Sequence, residues 1–87
     1  MPNDTATALD PENVRVGATI RALRELNELT AAELGRAIDK SEALITAIER
    51  GERKATVAVC RDIAKKFRLP LAAITVEGWE PVEAASR

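Results

Sequence analysis

Eighty-seven residues make one small domain, near the lower size at which a single hydrophobic core holds without staples, and leave no room for a separate sensor or protease domain. With no histidine in the chain, Ser–His and Cys–His nucleophile arrangements and the usual histidine metal sites are excluded; no glycine-rich phosphate loop is present either, so enzyme, metal and cofactor functions are set aside. The net charge of −1 conceals an uneven distribution: residues 1–12 carry −3 and residues 77–87 carry −2, so residues 13–76 carry +4, which is compatible with nucleic acid but modest for a strong binder.

Residues 1–9 are polar and lack apolar periodicity, so they read as a flexible arm, and with no basic residue the arm is not suited to the DNA minor groove. Asp10-Pro11-Glu12 then starts a helix: Asp as N-cap, Pro where its missing N–H costs nothing, and an acid in the first turn. This helix is expected to run to about Asn27, with Val16, Ile20 and Leu23 as its apolar stripe and Gly17 admitting a close neighbour.

Thr30 and Glu33 form a capping box that starts a second helix at Ala31, with Leu34, Ala37 and Ile38 as its apolar face. Asp39-Lys40-Ser41 interrupts the pattern; Asp tolerates the left-handed conformation of a turn, and Ser41 can cap a third helix from Glu42 to Arg50. Ile45 and Ile48 should face the second helix, and Gly51 ends the third. Thr56 can cap a fourth helix reaching about Phe67, with Val57, Cys60, Ile63, Ala64 and Phe67 facing the core. Arg68-Leu69-Pro70 breaks it, and Leu71 to Thr75 can close the bundle as a short fifth helix. The domain thus spans residues 10–76, followed by an acidic tail, 77–87, in which Trp79 serves either as a lid on the core or as a dimer contact. Phe67 and Trp79 are the only aromatic residues, so the core must be aliphatic, as suits closely packed helices. Cys60 cannot form an internal disulfide; with no signal peptide and no long apolar segment, this points to the cytoplasm and away from a membrane.

Arg21, Arg24, Leu29, Thr30, Glu33, Leu34, Ile45, Ile48, Glu49, Arg50 and Gly51, continuing through Ile63, Ala64 and Phe67 to Leu71, resemble the Cro/repressor-type (XRE) helix-turn-helix family over roughly sixty residues. The resemblance implies an all-α, compact five-helix lambda-repressor-like bundle, in which the second helix of the motif enters the DNA major groove. It further implies that Arg24 bonds Glu49 as a structural pair, and that Glu42, Ala43, Thr46 and Ala47 face base edges. These four are short or acidic where the family often carries Gln, Arg, Ser or Asn. Glu42 can accept from a cytosine amino group and the alanines can touch thymine methyls, but Glu42 is equally a first-turn acid and the alanines helix formers. Arg36, Lys40, Ser41, Arg50, Arg53 and Lys54 are expected at phosphates, giving affinity without sequence information.

Four further departures from the family pattern bear on geometry. Glu28 stands where the family usually has glycine, so Asn27 is expected to supply the left-handed residue; Ala31 replaces a phosphate-holding glutamine, Asp39 the turn glycine, and Lys40 an apolar residue. Arg61, Lys65 and Arg68 read as a solvated helix face.

The expected function is a small Cro-like repressor binding operator DNA as a homodimer, its occupancy set by its own concentration. The alternative is a helix-turn-helix fold used as an antitoxin-like or regulator-binding protein module, for which an exposed Leu44 beside Ala43 and Ala47 would form the contact strip.

Overall fold

A computed structural model describes residues 9–80. Residues 1–8 of the expected arm (1–9) and residues 81–87 of the expected tail (77–87) lie outside these residues. Within them the chain forms five helices, α1 (Pro11–Leu26), α2 (Ala31–Ala37), α3 (Glu42–Glu49), α4 (Val57–Lys66) and α5 (Ala72–Thr75), and no strand.

Local chemistry sets the helix starts. Asp10 accepts from the Glu12 N–H at 2.8 Å, Ser41 from Leu44 N–H at 3.1 Å and Thr56 from Val59 N–H at 3.2 Å. At α2 the capping box closes in both directions, with Thr30 N–H donating to Glu33 Oε1 at 2.8 Å and Glu33 N–H to Thr30 Oγ1 at 3.0 Å.

The helices close over Ile20, Leu34, Ile45, Ile48, Ile63 and Ile74, all fully buried, with Cys60 beside them. Burial raises the Cys60 thiol above its ordinary range, so it stays a neutral, small apolar group. The core is aliphatic, with Phe67 half-buried at its edge. Far along the chain, Arg15 Nη2 donates to the Thr75 carbonyl oxygen at 2.8 Å and ties α5 to α1.

The structure corrects three expectations. Asn27 is not left-handed (φ −95°); Glu28 takes that conformation at φ 59°. Asn27 is instead the C-cap of α1, and its N–H and side-chain amide both bond back to the Leu23 carbonyl. Ala37 is exposed, because α2 uses Leu34 and the C-cap Ile38 for its core contacts. Val57 is 56 % exposed while Val59 is 6 % exposed: the α4 stripe runs through 59, 60, 63 and 64, and the first residue of the helix falls outside it.

Candidate nucleic-acid interface

α3 is only eight residues long and is stable because three surfaces hold it. Its inner side carries Ile45 and Ile48 into the core, with Leu44 half-buried against it. Against α1 it packs backbone to backbone: a Cβ on Gly17 would overlap the Ile48 carbonyl oxygen. Towards α2 the turn is equally tight, since a Cβ on Gly35 would lie 2.5 Å from the Lys40 carbonyl oxygen. A glycine inside a two-turn helix costs helix stability, and that is the one sequence signal that could have marked Gly35 as a packing position.

An electrostatic tie adds to these three surfaces. Arg24 Nε and Nη2 donate to Glu49 Oε2 and Oε1 at 2.7 and 2.9 Å, a two-pronged pair with side chains only 14 % and 7 % exposed. Arg24 Nη1 donates also to the Leu29 carbonyl oxygen at 2.8 Å. One guanidinium therefore joins α1, the α1–α2 turn and the end of α3. The hydrogen bond to Glu49 pushes Arg24 above its ordinary range, although burial acts against it, so Arg24 stays charged. Among the described residues this pair is directed inward, fixing α3 from behind.

The outward side of α3 is formed by Glu42, Ala43, Thr46 and Ala47, the positions expected to face bases. They lie at i, i+1, i+4 and i+5, one face of a helix; Glu42 and Ala43 are exposed, Thr46 and Ala47 half-buried. Cations stand at both ends. Arg36 and Lys40 are exposed before the N-terminus; Arg50, Arg53 and Lys54 are exposed after the C-terminus. The loop carrying the latter is held in place as the Glu52 and Arg53 N–H groups bond the Ala47 carbonyl at 2.9 and 3.3 Å. Eight residues of helix span about 12 Å, close to the width of the major groove. Asp39, Glu42 and Glu52 sit among these cations and weaken the field. Ser41 uses its oxygen as the α3 cap, which leaves its hydroxyl proton free to donate.

A helix-turn-helix family model, HTH_3, matches residues 20–74, from α1 into α5. The chain belongs to this family and carries a DNA-binding helix-turn-helix domain of the XRE type found in transcription regulators. No curated protein sequence matches it. Among solved structures, it is similar to the restriction-modification controller protein C.AhdI from Aeromonas hydrophila, with 18% identity, a TM-score of 0.71, and 75% of this chain and 98% of that one covered. It is similar also to the clp gene regulator ClgR from C. glutamicum (20% identity, TM-score 0.71, covering 78% and 88%). The same fold occurs in hydroxypropylphosphonic acid epoxidase from S. wedmorenis (20% identity, TM-score 0.66, covering 74% of this chain and 34% of that one). At these identities the likeness is one of fold, which an enzyme also contains.

Proposed function

We propose that the protein is a sequence-specific transcriptional regulator of the small repressor type. It is non-enzymatic and cytoplasmic, and it acts by covering operator DNA as a two-fold dimer. The observation that carries this reading is the outward face of α3, exposed at Glu42 and Ala43 and half-buried at Thr46 and Ala47, with cations at each end. Arg36, Lys40, Ser41, Arg50, Arg53 and Lys54 hold phosphates, while Glu42, Ala43, Thr46 and Ala47 meet base edges. A single module covers too little DNA for strong specificity, and two modules related by a two-fold axis read two half-sites. Trp79, half-buried just beyond α5 with its N–H 3.3 Å from the Val76 carbonyl oxygen, is the contact proposed for the second subunit.

The protein-module alternative draws on Ala31, Glu42, Ala43, Leu44 and Ala47; Leu44 is half-buried against the core, which favours its core role over an apolar contact strip.

Selection from a pool of random duplexes tests the proposal. The expected result is enrichment of a two-fold symmetric sequence whose half-sites lie about one helical turn apart. Recovery of unenriched sequence would refute base reading by α3.

A further inference from the structure

Away from the outward face of α3, a cavity of about 210 Å³ opens where the start of α1, the loop before α4, the first turn of α4 and the end of α5 meet. Its lining is apolar at the bottom, where Val16 and Cys60 are buried, and along one side, formed by Ala55 and Val57. Helical spacing assembles it: Glu12 and Val16 are four apart on α1, and Val57 and Cys60 three apart on α4. Val57 falls outside the stripe that α4 buries, yet it lines this cavity, so its exposure leaves an apolar wall that no described residue covers. An apolar cavity of about 150 Å³ takes benzene, so the space here takes an apolar body of about six carbons.

The rim supplies the charge. Glu12 is met by Arg15 at 2.8 Å, and the same Arg15 nitrogen donates to the Thr75 carbonyl oxygen, so the acid and the end of α5 are both satisfied. The Thr75 hydroxyl donates to Leu71. That leaves Lys54 and Asn13: among the described residues, Lys54 forms no ion pair and the Asn13 side chain no hydrogen bond, and both border the opening. Asn13 and Val57 lie in the first turns of α1 and α4, where the positive ends of the helix dipoles also favour an anion. An apolar pocket with a cation and an amide donor at its mouth matches a molecule with a hydrocarbon body and a single negative head.

We propose that this cavity binds a small carboxylate with an apolar body of about six carbons, its chain against Val16, Ala55, Val57 and Cys60 and its head held by the Lys54 ammonium and the Asn13 amide. Lys54 is also a proposed phosphate contact, so the consequence for DNA rests on the regulator reading. A lysine whose charge is met by the ligand no longer neutralises a phosphate, and the acid therefore weakens DNA binding. By linkage, DNA weakens binding of the acid by the same factor. The DNA-binding domain thus carries its own effector site, and its occupancy of DNA follows a small acid as well as protein concentration.

The test has two arms. In the first, the ¹⁵N-labelled full chain is titrated with hexanoate at constant ionic strength, with acetate and hexanamide as comparisons. Saturating shifts are expected at the amides of Asn13, Ala55, Val57 and Cys60 with hexanoate, several-fold weaker binding with hexanamide, and no saturation with acetate. Val57→Asp sets a like charge in the wall at a helix position that favours an acid, and should abolish hexanoate binding without lowering the melting temperature. Lys54→Gln should make hexanoate and hexanamide bind alike, and Leu26→Ser, at the other end of α1, should change nothing. Absence of saturable shifts would overturn the site. Equal binding of hexanamide by the wild type would overturn carboxylate recognition and indicate an uncharged apolar group, such as a side chain of a partner protein, as occupant.

In the second arm, duplex DNA binding is followed over a salt series with and without saturating hexanoate. Hexanoate is expected to weaken binding several-fold and to lower the slope of log K against log salt by about 0.9, the value for one phosphate, with no effect in Lys54→Gln. An unchanged affinity would refute the effector role. Hexanoate bound in the cavity of a wild-type protein that binds no duplex would support the site and refute the regulator reading, so the two failures are distinct.

Discussion

Among the described residues, three other than glycine hold the left-handed conformation: Glu28 (φ 59°), Asp39 (φ 62°) and Arg68 (φ 60°), each just after a helix. For an L-residue that conformation costs on the order of 1 kcal/mol, less for Asp, whose short polar side chain bonds locally. Glu28→Gly is expected to raise stability by about 0.5–1 kcal/mol and Asp39→Gly by less, read as urea midpoints with unchanged m. A loss of stability in Glu28→Gly would show that its side chain makes a contact worth more than the strain. Asp39 was legible in the sequence because Asp between two helical patterns is itself a turn signal. Glu28 was not: its neighbour Asn27 is the better left-handed residue by local preference. What decides is that the Leu29 N–H and carbonyl are both held by Arg24, at 3.1 Å from its carbonyl oxygen and 2.8 Å from its guanidinium, and such a constraint has no sequence signature.

The Arg24–Glu49 pair sets the second expectation at this scale. Glu49→Ala leaves a largely buried guanidinium without its partner and should cost on the order of 2 kcal/mol, with the loss smaller in Glu49→Gln, which keeps a hydrogen-bond acceptor. Thermal unfolding measures it; equal, negligible effects would mean that the pair does not anchor α3. The pairing itself was implied by family resemblance alone, since two charges 25 residues apart carry no periodicity of their own.

At the scale of elements, α3 is positioned by how closely α1 lets it approach. Gly17→Ala places a methyl group against the backbone of Ile48 and Glu49, where no side-chain rotation relieves it. It should cost about 1–3 kcal/mol and lower the melting temperature by several degrees, whereas Ala18→Gly, on the exposed side of the same helix, should cost no more than about 1 kcal/mol. A Gly17→Ala protein as stable as wild type would contradict the close packing described. The helix starts were the most legible elements, because each cap is a rule spanning three residues. The stripe of α4 was less so: Val57 and Val59 fall on opposite flanks of the same apolar face, and only the packed arrangement decides which flank is covered. In the loop after α3, Arg53→Ala and Lys54→Ala are expected to weaken binding to all duplexes alike and flatten the salt slope, while Glu42→Gln on the outer face of α3 should change which sequences are preferred. A uniform loss across sequences in Glu42→Gln would remove it from base reading.

For the whole molecule, charge decides how strongly the interface can act. The central +4 over residues 13–76 is spread thinly, and acids stand beside the cations at both ends of α3. A modest affinity per module is the expected consequence, which the proposed dimer would offset by reading two adjacent half-sites. Composition foretold an aliphatic helical bundle, and the first four helices follow from caps and stripes in chain order, while α5 has no side-chain cap. The long-range Arg15–Thr75 tie, 60 residues apart, and the convergence of α1, α4 and α5 around an apolar cavity arise only once the chain is folded.

The most direct test of the central claim is binding to duplex DNA from the region upstream of the protein's own coding sequence against a scrambled duplex of equal length, over a salt series. Tighter binding to the upstream duplex at every salt concentration, with affinity falling linearly on a log–log scale, is the predicted result. Equal binding to both duplexes, or none to either, would contradict a sequence-specific regulator.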